Sequence, residues 1–129
     1  MNPIFIVTLV AVAVVFFMAF KGVKLNNCYE NTDVKGFSDK LKNEMDVVLI
    51  DVRTSAEVAS GAINGAINID VSATDFKEKI AKLDKEKTYL VYCRSGARSA
   101  RACSIMCEGG FTKLVNLQGG YMAWSATVK

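Results

Sequence analysis

The stretch Tyr89-Leu-Val-Tyr-Cys93-Arg-Ser-Gly-Ala-Arg98-Ser-Ala constrains the chain more than any other, because an apolar strand runs straight into a cysteine, a cationic glycine turn and a helix start. Four apolar residues ahead of a turn read as a buried strand over 89–92, and residues 99–108 read as the helix behind it, stopped by Gly109 and Gly110. A thiol at the mouth of such a turn faces backbone N–H groups and the positive end of the following helix. Arg94 and Arg98 add full charge nearby, and each of these influences favours thiolate over thiol. The chain contains no histidine, so Cys93 has no imidazole base to borrow and is expected to be activated by this local field alone. A plain core cysteine would account for the strand end. It would leave the Arg-Ser-Gly-Ala-Arg turn unexplained.

The remaining chain alternates short apolar strands with amphipathic helices. Strands are expected at 47–50, 66–69 and 114–117. Phe37, Leu41 and Met45 recur at helical spacing behind Ser38 and Asp39, which predicts a capped helix over 38–45. Thr54 and Glu57 form a capping-box pattern for a short helix that Gly61 ends, and residues 72–75 open another that carries Phe76, Ile80 and Leu83 on one face. Such alternation predicts a mainly parallel sheet covered by helices on both faces, with right-handed crossovers. Ligands in such folds sit at the carboxyl ends of the strands, which is where Cys93 falls.

The spacing inside the loop narrows the chemistry. Cysteine-dependent phosphatases place an arginine six residues after the cysteine, and here that position is Ser99. A six-residue loop over 93–98 instead resembles the active loop of the rhodanese (thiosulfate sulfurtransferase) family. Leu49-Ile-Asp51-Val-Arg53-Thr-Ser-Ala-Glu57 followed by Gly61-Ala-Ile-Asn-Gly65-Ala-Ile-Asn-Ile69 resembles the family's first block, and Gly119-Gly120-Tyr-Met-Ala-Trp124 its closing block. Where many members read Gly-His-Ile, this chain reads Gly61-Ala62-Ile63, which bears on hydrogen bonding at that turn more than on the reaction. The resemblance implies a rhodanese-like α/β fold, with Cys93 as catalytic nucleophile and Arg94, Ser95, Gly96, Ala97 and Arg98 as the substrate-binding loop. It implies transfer of a sulfane sulfur from thiosulfate or a persulfide donor, small molecule or protein, to a thiol or cyanide acceptor, with neither metal nor organic cofactor. Two other readings stand beside it: a non-catalytic rhodanese-like binding or regulatory module at the membrane, and a phosphatase or arsenate reductase of related fold.

Asp51, Arg53 and Glu57 lie close together after a buried strand and are expected to form a structural ion-pair network, since transfer between soft sulfurs needs no strong general acid. Cys103 and Cys107 are one helical turn apart and are expected to pack against the sheet, there being no further ligand to complete a zinc set. Tyr121 and Trp124 are expected to cap the core.

Residues 3–20 carry no charge and a single hydroxyl, and as a helix would reach about 27 Å, enough to span a bilayer. A domain this small has nowhere to bury a helix apolar on all sides, and a cleaved signal peptide would show a basic start and a small-residue cleavage site. The expectation is therefore one N-terminal transmembrane anchor over 3–20, a polar tether over 21–32 with Cys28 exposed in it, and one domain over 33–129. Lys21 and Lys24 flank the span and place that domain on the cytoplasmic face. A net charge of +3 spread over 129 residues gives no basic patch for nucleic acid.

Overall fold

Strands that read as continuous apolar runs need cover on both faces, and the parallel sheet at the centre of this protein has it. The computed structural model describes residues 28–128. Within them lie strands β1 (Tyr29–Thr32), β2 (Val47–Asp51), β3 (Ile67–Asn68), β4 (Thr88–Tyr92) and β5 (Leu114–Leu117), and helices α1 (Val34–Asn43), α2 (Ser55–Ala59), α3 (Phe76–Ala81), α4 (Ala97–Glu108) and α5 (Gly120–Thr127). The strands form one sheet in the order β1-β5-β4-β2-β3, and every neighbouring pair is parallel. Alternation along the strands sorts the side chains into two layers. Ile50, Val91 and Leu114 join Phe76 and Ile80 of α3 and Ala102, Cys103 and Met106 of α4 on one face. Leu49, Leu90, Val115 and Leu117 join Val34 and Phe37 of α1 and the partly buried Tyr121 and Trp124 of α5 on the other.

Several elements differ from the sequence expectation. Helix α1 starts at Val34, and its cap is Asp33, whose carboxylate accepts the Gly36 N–H at 2.9 Å; Ser38 and Asp39 lie inside the helix. Its apolar seam is Val34, Phe37 and Leu41, so the helix closes at Asn43 and Asp46 turns the chain with φ 59°. Met45, expected on the apolar face, is 89% exposed. The Thr54 and Glu57 capping box forms as expected, whereas the third strand is only two residues long and α4 begins at Ala97, inside the expected loop. Tyr121 and Trp124 belong to a full helix, α5, with Trp124 edge-on to Phe37 at 6.2 Å between ring centroids.

The largest departure is at the N-terminal side. The last residues of the expected tether form β1, which pairs in register with β5. Cys28 is not an exposed tether cysteine: it is disulfide-bonded to Cys107 at the end of α4, with 5.9 Å between Cα atoms. Cys103 is buried in the core as expected, and Cys107, half-buried, packs against the same layer while bonded to Cys28. The apolar run 3–20 and residues 21–27 lie outside the described residues, within which no helix is long and apolar enough to cross a membrane.

Candidate active site

The parallel sheet delivers β4 to its carboxyl end with Tyr92 buried, and the next residue is Cys93. The loop then has to turn within three residues into α4. Gly96 makes this possible by taking φ 103°, a left-handed conformation that a side chain would strain. Its N–H donates to Cys93 Sγ at 3.1 Å, and the Ser99 hydroxyl, carried over the sulfur by the first turn of α4, donates at 3.3 Å. From the other side α5 takes hold of the loop's carbonyls: Tyr121 N–H donates to Cys93 O at 2.8 Å and Met122 N–H to Arg94 O at 3.1 Å. A Cβ on Gly120 would lie 2.4 Å from Arg94 O, so this approach requires glycine. With carbonyls drawn outward to α5, the loop's N–H groups are left facing the sulfur.

The thiol is fully buried, which pushes its pKa up. The Ser99 hydroxyl and the N–H groups of Ser99, Gly96 and Ser95 act in the opposite sense and bring it below the ordinary thiol value. The arginines expected to do this contribute differently. Arg98 is bidentate to Glu57, with Nη1 to Oε1 at 2.7 Å and Nη2 to Oε2 at 2.8 Å, so its charge is shared with a carboxylate. Arg94 is exposed on the rim beside Ser95 and Ala97. The second free cysteine, Cys103, is buried in the same layer, and burial pushes its thiol up to about 12, which makes it a poor competing nucleophile.

The expected network of Asp51, Arg53 and Glu57 divides in two. Asp51 and Arg53 form a buried pair, with Arg53 Nη2 2.6 Å from Asp51 Oδ2 and 2.7 Å from the Gly61 carbonyl, and the guanidinium lies 4.5 Å from the Tyr121 ring centroid. Tyr92 OH accepts the Ile63 N–H at 3.0 Å. Arg53 and Tyr92 thereby satisfy the 61–63 turn that carries Ala62 in place of histidine. Glu57 stands apart from this pair and serves Arg98, which holds its carboxyl down at about 2.

Of the residues singled out in the sequence, Cys93, Ser95 and Gly96 meet at the sulfur. Ala97 opens α4, Arg98 turns to Glu57 and Arg94 stays at the rim. Ser99 was missed as a site residue. Its signal in the sequence is a hydroxyl six residues after the cysteine, at the position where phosphatases carry an arginine.

A nucleophile loop at the carboxyl end of a parallel sheet defines a class of cysteine-dependent transfer proteins, and comparison with known proteins gives the family. Residues 34–127 match the rhodanese-like domain, and the chain belongs to that family. It is 44% identical over 91 residues to a putative sulfurtransferase of Bacillus subtilis, covering 70% of this chain and 85% of the relative. It is 36% identical over 93 residues to a sulfurtransferase of Allochromatium vinosum, covering 72% of this chain and 85% of the relative. The crystal structure of a rhodanese-related protein from Thermoplasma volcanium superposes with a TM-score of 0.68 at 29% identity, covering 78% of this chain and 94% of that one. These sulfurtransferase relatives support sulfur transfer as the general activity.

Proposed function

We propose that this protein is a sulfurtransferase that carries a sulfane sulfur on Cys93 between a thiosulfate or persulfide donor and a thiol or cyanide acceptor. The observation that carries the reading is the hydrogen-bonded Cys93 Sγ, which accepts from Gly96 N–H and Ser99 Oγ. In the first step the Cys93 thiolate attacks the outer sulfur of the donor. The donor's S–S bond breaks, sulfite or a thiolate leaves with the electron pair, and a Cys93 persulfide anion remains. In the second step the acceptor anion attacks the terminal sulfur, the Cys93 S–S bond breaks, and the thiolate returns. No net oxidation and no proton-transfer catalyst are involved. The N–H groups that favour the thiolate are placed to favour the persulfide anion as well, and Arg94 on the rim supplies charge for a donor's oxyanion.

Residues 3–20 are proposed as a single-pass anchor. Lys21 and Lys24 favour the cytoplasmic side for the domain, while a disulfide such as Cys28–Cys107 is a bond that persists in oxidising compartments.

Two covalent half-reactions imply ping-pong kinetics. Initial rates of thiosulfate-to-cyanide transfer, measured over a grid of both substrates, are expected to give parallel double-reciprocal lines, with Cys93→Ser inactive and its circular dichroism unchanged. Intersecting lines would contradict the persulfide route. Full activity in folded Cys93→Ser would move the nucleophile elsewhere, and an inactive wild type would favour the binding-module reading.

A further inference from the structure

We propose that Asn116, on β5 and outside the cysteine loop, is a positioning residue that holds Gly96 so that its N–H stays on Cys93 Sγ. The catalytic meaning of this role rests on the sulfurtransferase reading, and its test does not.

β5 is buried along its whole length and reads Leu114, Val115, Asn116, Leu117, one amide in an otherwise apolar strand. Asn116 is 2% exposed. An amide taken out of water is unfavourable unless its hydrogen bonds are replaced. Here the replacement is incomplete: Nδ2 donates to Gly96 O at 3.3 Å and to Asn31 Oδ1 at 2.9 Å, while Oδ1 has no protein partner among the described residues. A leucine or valine would continue the strand and leave no orphaned oxygen. What the amide adds is a tie from the sheet to the loop.

The tie falls on the residue where the loop pivots. Gly96 has φ 103°, its N–H points at the sulfur, and its carbonyl begins α4 by accepting Ala100 N–H at 3.1 Å. A Cβ on Gly96 would come 3.2 Å from the Leu117 carbonyl, so the loop backbone rests directly on β5. Left-handed glycine is free to rotate about φ and ψ. The helix holds the Gly96 carbonyl from one side and Asn116 holds it from the other. Asn31, on the edge strand β1, accepts the second N–H and so fixes the orientation of the Asn116 amide. The ionisable groups coupled to Cys93 are Arg98, held by Glu57 and also sensing Asp70, and Cys103. None of them shares a hydrogen bond with Asn116.

The test titrates the Cys93 thiol of the full chain in detergent by thiolate ultraviolet absorbance, with Cys93→Ser as blank. In Asn116→Leu the midpoint is expected to rise, so that the thiolate fraction below the midpoint falls by about threefold to tenfold, the scale of a weakened hydrogen bond to an anion. Asn31→Ala is expected to shift it less and in the same direction. Val115→Ala, which thins the same strand facing the other layer, is expected to lower Tm and leave the midpoint alone. A folded Asn116→Leu with an unchanged midpoint would overturn the proposal, as would an equal rise in Val115→Ala. If Asn116→Leu does not fold, Asn116→Ser decides: it is polar but too short to reach Gly96, so its midpoint must rise, and an unchanged value overturns the proposal. The titration reads acidity and not transfer, so a wild-type protein with no sulfurtransferase activity would sink the functional reading without touching this one.

Discussion

The acidity of Cys93 comes chiefly from neutral donors. Burial opposes ionisation, and the Ser99 hydroxyl with three backbone N–H groups reverses it. Ser99→Ala removes the one side chain among these donors, so alkylation of Cys93 at neutral pH is expected to slow by about threefold to tenfold, with the acid limb of the pH–rate profile displaced upward. An unshifted limb would mean the backbone suffices. The sign follows from the thiol being more acidic folded than unfolded: thiolate dominates above the folded value and is lost as pH falls through it. Glu57 works the same way at lower pH. Its pairing with Arg98 stabilises the fold fully above about 4.5 and is lost on acidification toward about 2. Both partners are about one-third exposed, so Glu57→Gln is expected to lower stability by only about 0.5–1 kcal/mol at neutral pH. Urea unfolding at pH 7 and pH 3 checks this, because the difference between wild type and variant must shrink at the lower pH. Cys93 and the Gly96 turn were legible in the sequence because strand, cysteine, glycine and helix follow one another locally. Arg98's partner was not, since Glu57 lies 41 residues away and meets it only when the sheet forms.

At the scale of elements, apolar periodicity located β2, β4, β5 and the body of α4, while the start of α1, set by a single capping side chain, went astray. Asp33 starts α1 four residues before the expected helix because its carboxylate finds the Gly36 N–H. α5 was invisible as a helix because its sequence, Gly-Tyr-Met-Ala-Trp-Ser-Ala-Thr, has little apolar periodicity. It forms because its N-terminal N–H groups are taken by the carbonyls of Cys93 and Arg94. The disulfide could not be read at all, as its cysteines are 79 residues apart. It ties the start of β1 to the end of α4, and closing a loop of that length restricts the unfolded chain. Cys107→Ser is expected to lower stability by about 4–5 kcal/mol on chain-entropy grounds, with transfer per folded molecule unchanged. Comparing urea midpoints of wild type with and without reductant measures the same quantity. Equal midpoints would show that the bond contributes nothing to the fold.

For the molecule as a whole, the parallel sheet separates entry from chemistry. The chain enters at Cys28, at the amino ends of the strands, and Cys93 lies at the carboxyl ends, with α4, about 18 Å of helix, running between the levels of Cys93 and Cys107. The fold class followed from alternating elements, and the position of the site from the rule that such sheets place ligands at their carboxyl ends. Sulfur transfer through Cys93 is the central claim, and it is tested most directly by the mass of the protein itself. After incubation with thiosulfate and removal of excess reagent, the full chain is expected to gain one sulfur atom, located on Cys93 by fragmentation, lost on adding cyanide and absent in Cys93→Ser. No gain in wild type, or the same gain in Cys93→Ser, would contradict the account.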